Sequence, residues 1–381
     1  MLKSFQIKNF RLFQHIEVKK LNRVNLIVGK NNSGKSTFLE AVELYISNSS
    51  PYIILDLIFS RQETWISEAQ TRSREFGENP VRHLFFGHKL PQLEKQGILL
   101  GEANSNAKIH ISKAAYQKIE DNEGIIKTIR VPEERVNSNQ VNENLSNVEF
   151  YLVAEEGEKT RRFFSLHRDI KEIRHSSSRD FYFKRHESDY KYIWQIVSTE
   201  NMSNKQIATL WDLTILKNLD SEVISAMKLI DNRVSRVVFV EDIDSESIDK
   251  KRIPLVKIKG IDEPLPLKSM GDGMTRLFHI IVALVNAQNG ILLIDEFENG
   301  LHWSVQPKLW DIIFQLSEKL NVQIFATTHS RDCIQGFDSA WNKYPELGAF
   351  FRLDNKDGVI KVTEYTSETL TDALEMDVEV R

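Results

Sequence analysis

An apolar segment that runs directly into a glycine-rich loop is the feature that most constrains the fold of this chain. Four of the five residues of Val24–Val28 are apolar, as in a strand buried in a parallel sheet. Residues 36–44, behind the loop, have the periodicity of a helix. This is the pattern G-x-x-x-x-G-K-[ST] in its strand–loop–helix context, which predicts an α/β protein with a P-loop NTPase fold. The loop consists of Gly29, Lys30, Asn31, Asn32, Ser33, Gly34, Lys35 and Ser36, with Thr37 beside it.

The residue types of this loop predict that it binds ATP and Mg²⁺. Gly29 and Gly34 allow the backbone to curl so that successive N–H groups point at phosphate oxygens, and the helix N-terminus adds partial positive charge. We expect Lys35 to bridge the β- and γ-phosphates and the hydroxyl of Ser36 to ligate Mg²⁺. The sequence has no Asn-Lys-x-Asp string for reading guanine, so adenine is inferred by elimination.

A second motif, at residues 290–296, is an apolar strand that ends in two carboxylates. Asp295 would emerge at the carboxyl edge of the sheet, where ligands of α/β proteins bind. There it would hold Mg²⁺ through a water molecule, opposite Ser36. Glu296, the next residue, would act as the general base that polarises the attacking water. An Asp-Glu pair favours a hydrolase over a small-molecule kinase.

Two further segments add candidate groups. Residues 322–328 form another apolar strand, and His329 at its end is placed to donate a hydrogen bond to the γ-phosphate or to orient the water. A glycine-containing turn precedes the apolar helix predicted at residues 277–285, and such a turn makes a second N–H-rich anion site. The turn contributes Ser269, Gly271, Asp272 and Gly273.

These four motifs, in this order, resemble the ATPase heads of the ABC type. Residues 5–11, 28–37 and 294–302 are especially similar to the branch that includes the SMC, RecF and OLD (overcoming lysogenisation defect) proteins. The resemblance covers roughly residues 1–48 and 235–365. It implies an ABC-ATPase head with a mixed sheet, built from residues 1–48 and 235–381. Residues 49–234 would then form a large inserted α+β and helical region.

The resemblance also implies how such a protein works. Two heads sandwich two nucleotides, and each phosphate loop faces the partner's turn at residues 269–273. Residues 299–302 match the D-loop, which crosses the dimer interface, and His329 matches the switch histidine. The turn reads Ser-Met-Gly-Asp-Gly rather than Ser-Gly-Gly-Gln, which leaves open the glycine amide that meets the γ-phosphate. The family's Q-loop glutamine has no clear match, and Gln62 and Gln70 are both candidates.

The middle of the chain carries no such motifs. Strands are predicted at residues 98–100, 108–111, 125–129 and 149–153. Between Lys159 and Lys191 ten Lys/Arg stand against five Asp/Glu, with aromatic residues interleaved. This composition fits nucleic-acid binding, and it equally fits a solvated strand and helix with an aromatic core side. Residues 192–234 have helical spacing, with core positions predicted at Ile207, Leu210, Leu213, Leu216, Leu219, Val223 and Met227.

Composition and chain length narrow the cellular setting. The net charge of −4, the lone Cys333 and apolar runs no longer than a strand indicate a cytoplasmic protein without a membrane span. Cys333 itself is expected to be a buried helix residue. Residues after Ser330 suffice for strands at 349–353 and 359–362 and a helix from Glu368, but not for a TOPRIM nuclease domain.

The resemblance therefore implies an ATPase that forms homodimers or higher homo-oligomers. It would act as sensor or regulator of a separate, nuclease-like effector protein, in prokaryotic anti-phage defence. The alternative is an ATP-gated DNA-binding clamp for repair or maintenance, similar to RecF and SMC proteins. In that alternative the segment between Lys159 and Lys191 would contact the nucleic acid.

Overall fold

Three β-sheets organise the protein, as seen in a computed structural model that describes residues 1–64, 79–92, 96–105, 107–120, 126–132, 148–168, 190–242 and 252–381. The first sheet has six strands, the second has seven and the third has three. Strands are numbered in chain order: β1 Phe5–Phe10, β2 Phe13–Val18, β3 Val24–Val28, β4 Ile98–Gly101, β5 Ile109–Glu120, β6 Ile126–Val131, β7 Val148–Glu156, β8 Lys159–Ser165, β9 Trp194–Val197, β10 Val234–Glu241, β11 Arg252–Ile258, β12 Leu265–Pro266, β13 Ile291–Ile294, β14 Gln323–Thr328, β15 Gly348–Lys356 and β16 Val359–Tyr365.

The described helices are numbered in the same way. They are α1 Lys35–Ile46, α2 Pro51–Ser60, α3 Asn204–Leu216, α4 Asp220–Met227, α5 Asp272–Asn286, α6 Gln306–Lys319, α7 Arg331–Lys343 and α8 Ser367–Glu375. Short 3-10 turns lie at Pro80–Leu84, Phe86–His88 and Leu267–Met270. None of the helices in these described ranges combines the length and the apolar character needed to cross a bilayer.

The six-stranded sheet carries the predicted nucleotide site. Its strand order is β16-β15-β3-β14-β13-β9. The strands from β15 to β9 are parallel to their neighbours, and β16 is antiparallel to β15 at the edge. Strands β3, β13 and β14 are buried at every position. β3 and β13 are accordingly apolar at all but one residue, whereas three of the six residues of β14 are polar. The carboxyl ends of β3, β13 and β14 therefore lie side by side.

The seven-stranded sheet is antiparallel and packs on the other side of α1. Its order is β2-β1-β4-β5-β7-β8, and β6 pairs with β5. The ring of Phe38 in α1 lies 5.9 Å from that of Phe5 in β1 and 5.3 Å from that of Phe351 in β15. Because one side chain touches both sheets, α1 is fixed between them, and with it the loop that precedes it.

A helical layer covers the opposite face of the six-stranded sheet. Helix α5 lies at its centre, and its residues from Leu277 to Asn286 are all buried. Trp211 of α3 packs against Phe278 of α5, with ring centroids 5.4 Å apart. The three-stranded sheet β10-β11-β12 joins the same apolar core through Val237 and Val256.

Most of the predicted elements are found, but the helical reading of residues 192–234 is partly wrong. Residues 194–197 form strand β9, because four residues of apolar spacing do not distinguish a short strand from a helix. In α3 the buried stripe includes Ile207, Trp211 and Thr214, which leaves Leu213 and Leu216 with 41% and 77% exposure. Leu216 lies nearly opposite Ile207 on the helix, as the 3.6-residue turn requires.

The seven-stranded sheet runs across the predicted boundary at residue 48, and the six-stranded sheet runs across those at residues 48 and 234. Strands β4 to β8 extend a sheet that begins with β1 and β2, and β9 pairs in parallel with β13. The sheets thus give no support to these boundaries, and the division into head and insertion stays a prediction. Cys333 is a buried residue of α7, as expected, and burial raises the pKa of its thiol.

Candidate nucleotide-binding site

The loop between β3 and α1 needs glycine at both ends. Gly29 has φ 153° and Gly34 has φ 100°. A Cβ on Gly29 would lie 2.4 Å from the carbonyl oxygen of Leu353 and from Oγ of Ser33, and one on Gly34 would lie 2.8 Å from Cζ of Phe13. Real Cβ atoms do not approach other atoms so closely. A side chain at either position would therefore displace the residues that surround the loop.

Lys35 is held inside the loop. Its Nζ donates hydrogen bonds to the carbonyl oxygens of Gly29 at 2.8 Å and Lys30 at 3.1 Å. Burial lowers the pKa of the ammonium group, against the opposing effect of Asp295, Glu296 and other nearby acids. A buried cation with only carbonyl partners fits an anionic ligand, since phosphate oxygens would supply the missing negative charge.

The rest of the loop also suits a phosphate group. The hydroxyl of Ser33 is buried and has no hydrogen-bond partner among the residues that the structure describes. Asn31 and Asn32 are exposed, and Asn32 has φ 62°, a left-handed conformation that asparagine tolerates. Thr37 is buried, and its Oγ1 accepts a hydrogen bond from Arg61 at 3.3 Å. The unpaired hydroxyl and the N-terminus of α1 together offer donors to an anion.

Hydroxyl groups from three segments converge on the carboxylate of Asp295. Ser36 Oγ donates to Asp295 Oδ1 at 3.1 Å, and Thr327 Oγ1 donates to the same oxygen at 2.6 Å. Thr199 Oγ1 lies 3.5 Å from Asp295 Oδ2. Oxygen donors of this kind are those that Mg²⁺ prefers. The structure thus brings the predicted pair Ser36 and Asp295 together, and their role as metal ligands stays a prediction.

Glu296 follows Asp295 in an unusual backbone conformation. Its φ is 49°, in the left-handed region that non-glycine residues seldom adopt. The backbone N–H donates to Thr327 Oγ1 at 2.9 Å, and its carbonyl oxygen accepts from Arg276 at 2.9 Å. The side chain is 38% exposed. The backbone is therefore fixed, while the carboxylate remains open to water.

His329 lies next to two glutamates at the end of β14. Its Nδ1 is 3.2 Å from Glu298 Oε1 and 4.0 Å from Glu296 Oε1. The backbone N–H of His329 also donates to Glu298 Oε1 at 3.0 Å. Glu298 thus holds both the ring and the backbone of His329, and the predicted pair Glu296 and His329 face one another across this contact.

The turn at residues 269–273 lies elsewhere. Gly271 has φ 93°, and α5 begins at Asp272. A Cβ on Gly273 would lie 2.8 Å from the carbonyl oxygen of Gly300, so the turn packs on the segment that matches the D-loop. Ser269 is exposed. Within the described chain, no hydrogen bond or ion pair joins this turn to residues 29–37.

Four residues of the site were not identified from the sequence. Thr199 follows β9, in the segment with predicted helical spacing, and it lies beside the carboxylate of Asp295. Of the two Q-loop candidates, Gln62 lies beyond α2 with φ 55°, and Gln70 lies outside the described residues. Thr327, Glu298 and Arg276 each stand within motifs that the sequence analysis used. Their contacts depend on tertiary structure, and no local signal identifies them.

The basic segment between Lys159 and Lys191 is described only at its two ends. There, Arg161 bonds to the backbone and side chain of Asn48, and Lys191 Nζ lies 2.6 Å from Glu156 Oε1. Arg162 lies over the rings of Tyr116 and Tyr151, at 5.1 and 4.8 Å from their centroids. These three cations have partners within the protein. Residues 169–189, which hold most of the segment, lie outside the described residues.

A phosphate loop at the end of one parallel strand, with an Asp-Glu pair at the end of the second strand from it in the same sheet, defines a P-loop ATPase. The sequence model of the AAA ATPase domain family matches residues 1–334, so the chain belongs to this family and is an ATPase. The fold is accordingly the mixed α/β P-loop NTPase fold that the sequence predicted.

Two proteins from other organisms are similar to this chain in sequence. An ATP/GTP phosphatase from Helicobacter pylori is 25% identical over 358 residues, which are 89% of this chain and 88% of the relative. An uncharacterized protein from Methanocaldococcus jannaschii is 30% identical over 86 residues, 23% of this chain and 36% of that protein.

Solved structures of similar architecture include SMC heads. One, bound to the C-winged helix domain of ScpA, has a TM-score of 0.46 at 13% identity, covering 96% of this chain and 98% of that one. The SMC head domain from Thermotoga maritima has a TM-score of 0.41 at 13% identity and the same coverage. At these values the similarity adds nothing to what the sheet order and the family membership show.

Proposed function

We propose that the chain hydrolyses ATP at the site formed by residues 29–37 with Asp295 and Glu296. The observation that carries this proposal is the 3.1 Å contact between Ser36 and Asp295, which joins the phosphate loop to the Asp-Glu strand. Lys35 would hold the β- and γ-phosphates, and Ser36 and Asp295 would hold Mg²⁺. When bound, Mg²⁺ neutralises charge on the β- and γ-phosphate oxygens.

Glu296 is the general base in this proposal. Its carboxylate accepts a proton from a water molecule whose oxygen attacks the γ-phosphorus, and the bond to the β-phosphate oxygen breaks to leave ADP and phosphate. His329, held by Glu298, donates to the γ-phosphate or orients the water. The fixed left-handed backbone of Glu296 supports this role, because catalysis depends on a preset geometry.

We further propose that two copies close over two nucleotides. The turn at residues 269–273 has N–H groups at the start of α5 but packs on Gly300 rather than on its own phosphate loop. A second copy would place its turn against the γ-phosphate, as the resemblance to ABC-type heads implies. Each phosphate loop would then be half of a site.

The biological role that we propose is that of a sensor or regulator that acts on a separate, nuclease-like effector in prokaryotic anti-phage defence. The support for it is the resemblance to the OLD branch. The second candidate is an ATP-gated DNA clamp. Its support is the basic composition between Lys159 and Lys191, and the internal partners of Arg161, Arg162 and Lys191 weigh against it.

Base preference deserves a direct measurement, because the Helicobacter pylori relative is called an ATP/GTP phosphatase. We propose adenine as the preferred base, on the absence of a guanine-reading string. The ratio of kcat/KM for ATP to that for GTP decides this. A ratio near one would contradict the preference while leaving hydrolysis intact.

The variant Glu296→Gln tests the central proposal. We expect it to bind ATP, to lose turnover by roughly 10²–10⁴-fold, and to form a larger species with ATP on size-exclusion chromatography. The exposed Glu346→Gln is the matched control and should hydrolyse ATP normally. Normal turnover by Glu296→Gln would show that another group is the base.

A further inference from the structure

The guanidinium group of Arg276 bridges two parts of the site from inside helix α5. The residue is only 1% exposed. Nη1 donates to the carbonyl oxygen of Ser198 at 2.5 Å and to Oδ1 of Asn201 at 2.9 Å. Nη2 donates to the carbonyl oxygens of Asp295 at 2.5 Å and Glu296 at 2.9 Å. One side chain therefore ties the loop after β9 to the end of β13.

The guanidinium group of Arg276 keeps its positive charge although it is buried. Burial lowers the pKa of Arg276 to about 10, and Asp295, Glu298 and Glu296 oppose this effect. The group therefore stays charged near neutral pH. A buried charge is costly unless it is well bonded, so four polar contacts indicate a specific arrangement rather than simple filling of space.

The acceptors of these bonds are the backbone groups that set the catalytic geometry. Glu296 has φ 49°, a conformation that is maintained only when surrounding contacts impose it. The bond from Nη2 to its carbonyl oxygen is one such contact. The loop held by Nη1 carries Thr199, whose hydroxyl lies 3.5 Å from Asp295 Oδ2. Displacement of Arg276 would therefore release two segments next to the Asp295 carboxylate: the loop that carries Thr199 and the backbone of residues 295–296.

The same arginine stands directly behind the turn at residues 269–273. It lies on the first turns of α5, which begins at Asp272. Gly273 packs on Gly300, and the side chain of Asn299 donates to the carbonyl oxygen of Thr199 at 2.8 Å. The turn, the segment 299–300 and the loop after β9 are thus connected within one chain.

We infer that Arg276 is a positioning residue: it fixes Asp295 and Glu296, and it makes their geometry depend on where the turn at residues 269–273 is docked. This inference rests on the proposed function. In a pair of heads, the turn of one copy meets the nucleotide of the other. Docking of that turn therefore aligns the general base in the same chain, which couples turnover at the two nucleotides.

The variant Arg276→Lys tests this role. Lysine keeps the charge, but its single ammonium group does not reproduce the fork that reaches four acceptors. We expect kcat to fall by about 10–100-fold, because small misplacements of catalytic groups have effects of this size. KM for ATP and the affinity of a single head for ATP should change less than about threefold. A purely structural role would not separate kcat from binding in this way.

Arg23→Lys is the matched control. Arg23 Nη1 likewise donates to a backbone carbonyl oxygen, that of Ser317 at 3.1 Å, and to an asparagine side chain, Asn321 Oδ1 at 3.2 Å. It precedes β3, at the amino end of the sheet, away from Asp295. We expect Arg23→Lys to retain wild-type kcat.

A milder variant keeps the test decisive if Arg276→Lys does not fold. Asn201 has φ 67°, so Asn201→Gly removes one acceptor of Arg276 and preserves the backbone conformation. We expect kcat to fall by about threefold to tenfold. Asn289→Gly is its control, because Asn289 has φ 57° and accepts from Asn321 Nδ2 at 3.1 Å outside the site.

The outcomes separate this inference from the proposed function. A wild-type protein that does not hydrolyse ATP refutes the proposed function. Hydrolysis by the wild type with unchanged kcat in Arg276→Lys, or in Asn201→Gly where the lysine variant does not fold, refutes the role of Arg276 alone. The double variant Arg276→Lys/Glu296→Gln should still form the larger species with ATP. If it does not, while Glu296→Gln does, Arg276 acts on assembly and the inference is wrong.

Discussion

The phosphate loop and the turn at residues 269–273 use the same structural device in opposite surroundings. Each has a glycine with positive φ directly before a helix, Gly34 at 100° and Gly271 at 93°. A Cβ on Gly34 would meet Phe13 at 2.8 Å and Leu12 at 2.9 Å, whereas one on Gly271 would have no atom of the described residues within 4 Å. The first loop is enclosed by its own chain, and the second is open.

This difference indicates how far each loop is enclosed by its own chain. The phosphate loop is enclosed by β2, β15 and the end of β13. The turn has donors of its own at the start of α5, but in the described part of the chain nothing encloses Gly271. The comparison therefore favours a second molecule as the missing wall, and the following changes test it from the largest expected effect to the smallest.

Lys35→Ala removes the cation of the enclosed loop and should have the largest effect. Lys35 bonds to two loop carbonyls and is the group expected to bridge the β- and γ-phosphates. We expect turnover to fall by at least about 100-fold, with loss of ATP affinity in an equilibrium binding assay. The exposed Lys343→Ala is the control. Wild-type turnover by Lys35→Ala would show that the enclosed loop is not where ATP is bound for hydrolysis.

Alanine at the two glycines tests the comparison itself. Gly34→Ala adds both backbone strain and close contacts, so ATP binding by a single head should fall by about tenfold or more. Gly271→Ala adds strain alone, so single-head binding should persist while turnover falls by about tenfold. Gly260→Ala, with φ 84° and open space, is the control for strain outside the site. If a single head of Gly271→Ala no longer binds ATP, the turn at residues 269–273 contacts the nucleotide of its own chain and not that of a partner.

His329→Ala tests the role of the histidine that lies at the end of β14, in the same site as the phosphate loop. We expect kcat to fall by about 10–100-fold with KM nearly unchanged, because the imidazole acts on the γ-phosphate or on water rather than on the rest of the nucleotide. Glu298→Gln should have a smaller effect, about threefold to tenfold, since Glu298 acts through His329 by holding its ring and its backbone N–H. The exposed His15→Ala serves as control. Equal effects of the two variants would show that Glu298 does more than orient His329.

The smallest effect concerns the helix behind the enclosed loop and appears as a pH dependence. Burial raises the pKa of Glu43 in α1 to about 7, against the hydrogen bond from Trp194 at 3.3 Å. The folded protein therefore binds this proton more tightly than the unfolded chain, and stability from it is lost as the pH rises from 4.5 to about 7.

The variant Glu43→Gln cannot ionise at this position, so it should not lose stability in this way as the pH rises. The difference in free energy of unfolding, variant minus wild type, should therefore increase by roughly 1–3 kcal/mol from pH 5 to pH 8, measured by urea denaturation at each pH. The exposed Glu346→Gln should show no such trend. A difference that is flat with pH would mean that Glu43 ionises normally in the folded protein.

Local sequence predicted the enclosed loop well because its constraints lie close together in the chain. Val24–Val28, the two glycines and α1 occupy adjacent residues, and each follows from a residue-type rule. The strand before Asp295 and the strand before His329 were predicted in the same way, from apolar runs that end in polar residues. The rule that ligands of α/β proteins bind at the carboxyl edge of the sheet placed Asp295 at that edge, whereas the adjacency of β13 and β14 is known only from the structure.

The remaining features depend on contacts that sequence spacing does not encode. Strand β9 is four residues long and has no distinctive pattern, so Thr199 was not placed beside Asp295. Leu213 and Leu216 were predicted in the core, but Trp211 and Thr214 fill the buried face of α3. In the sequence Arg276 has no feature that distinguishes it from other helix residues. Its role is visible only in the folded structure, where it bonds to the loop after β9.

The position of β3 in its sheet has a consequence for biosynthesis. Both of its neighbours, β14 and β15, lie in the last part of the described chain, from residue 323 onward. At translation rates of about 5–20 residues per second, the apolar strand Val24–Val28 leaves the ribosome roughly 15–60 s before either neighbour exists. During that interval its two edges are unpaired, which makes the nascent chain a candidate for chaperone binding until the last strands emerge.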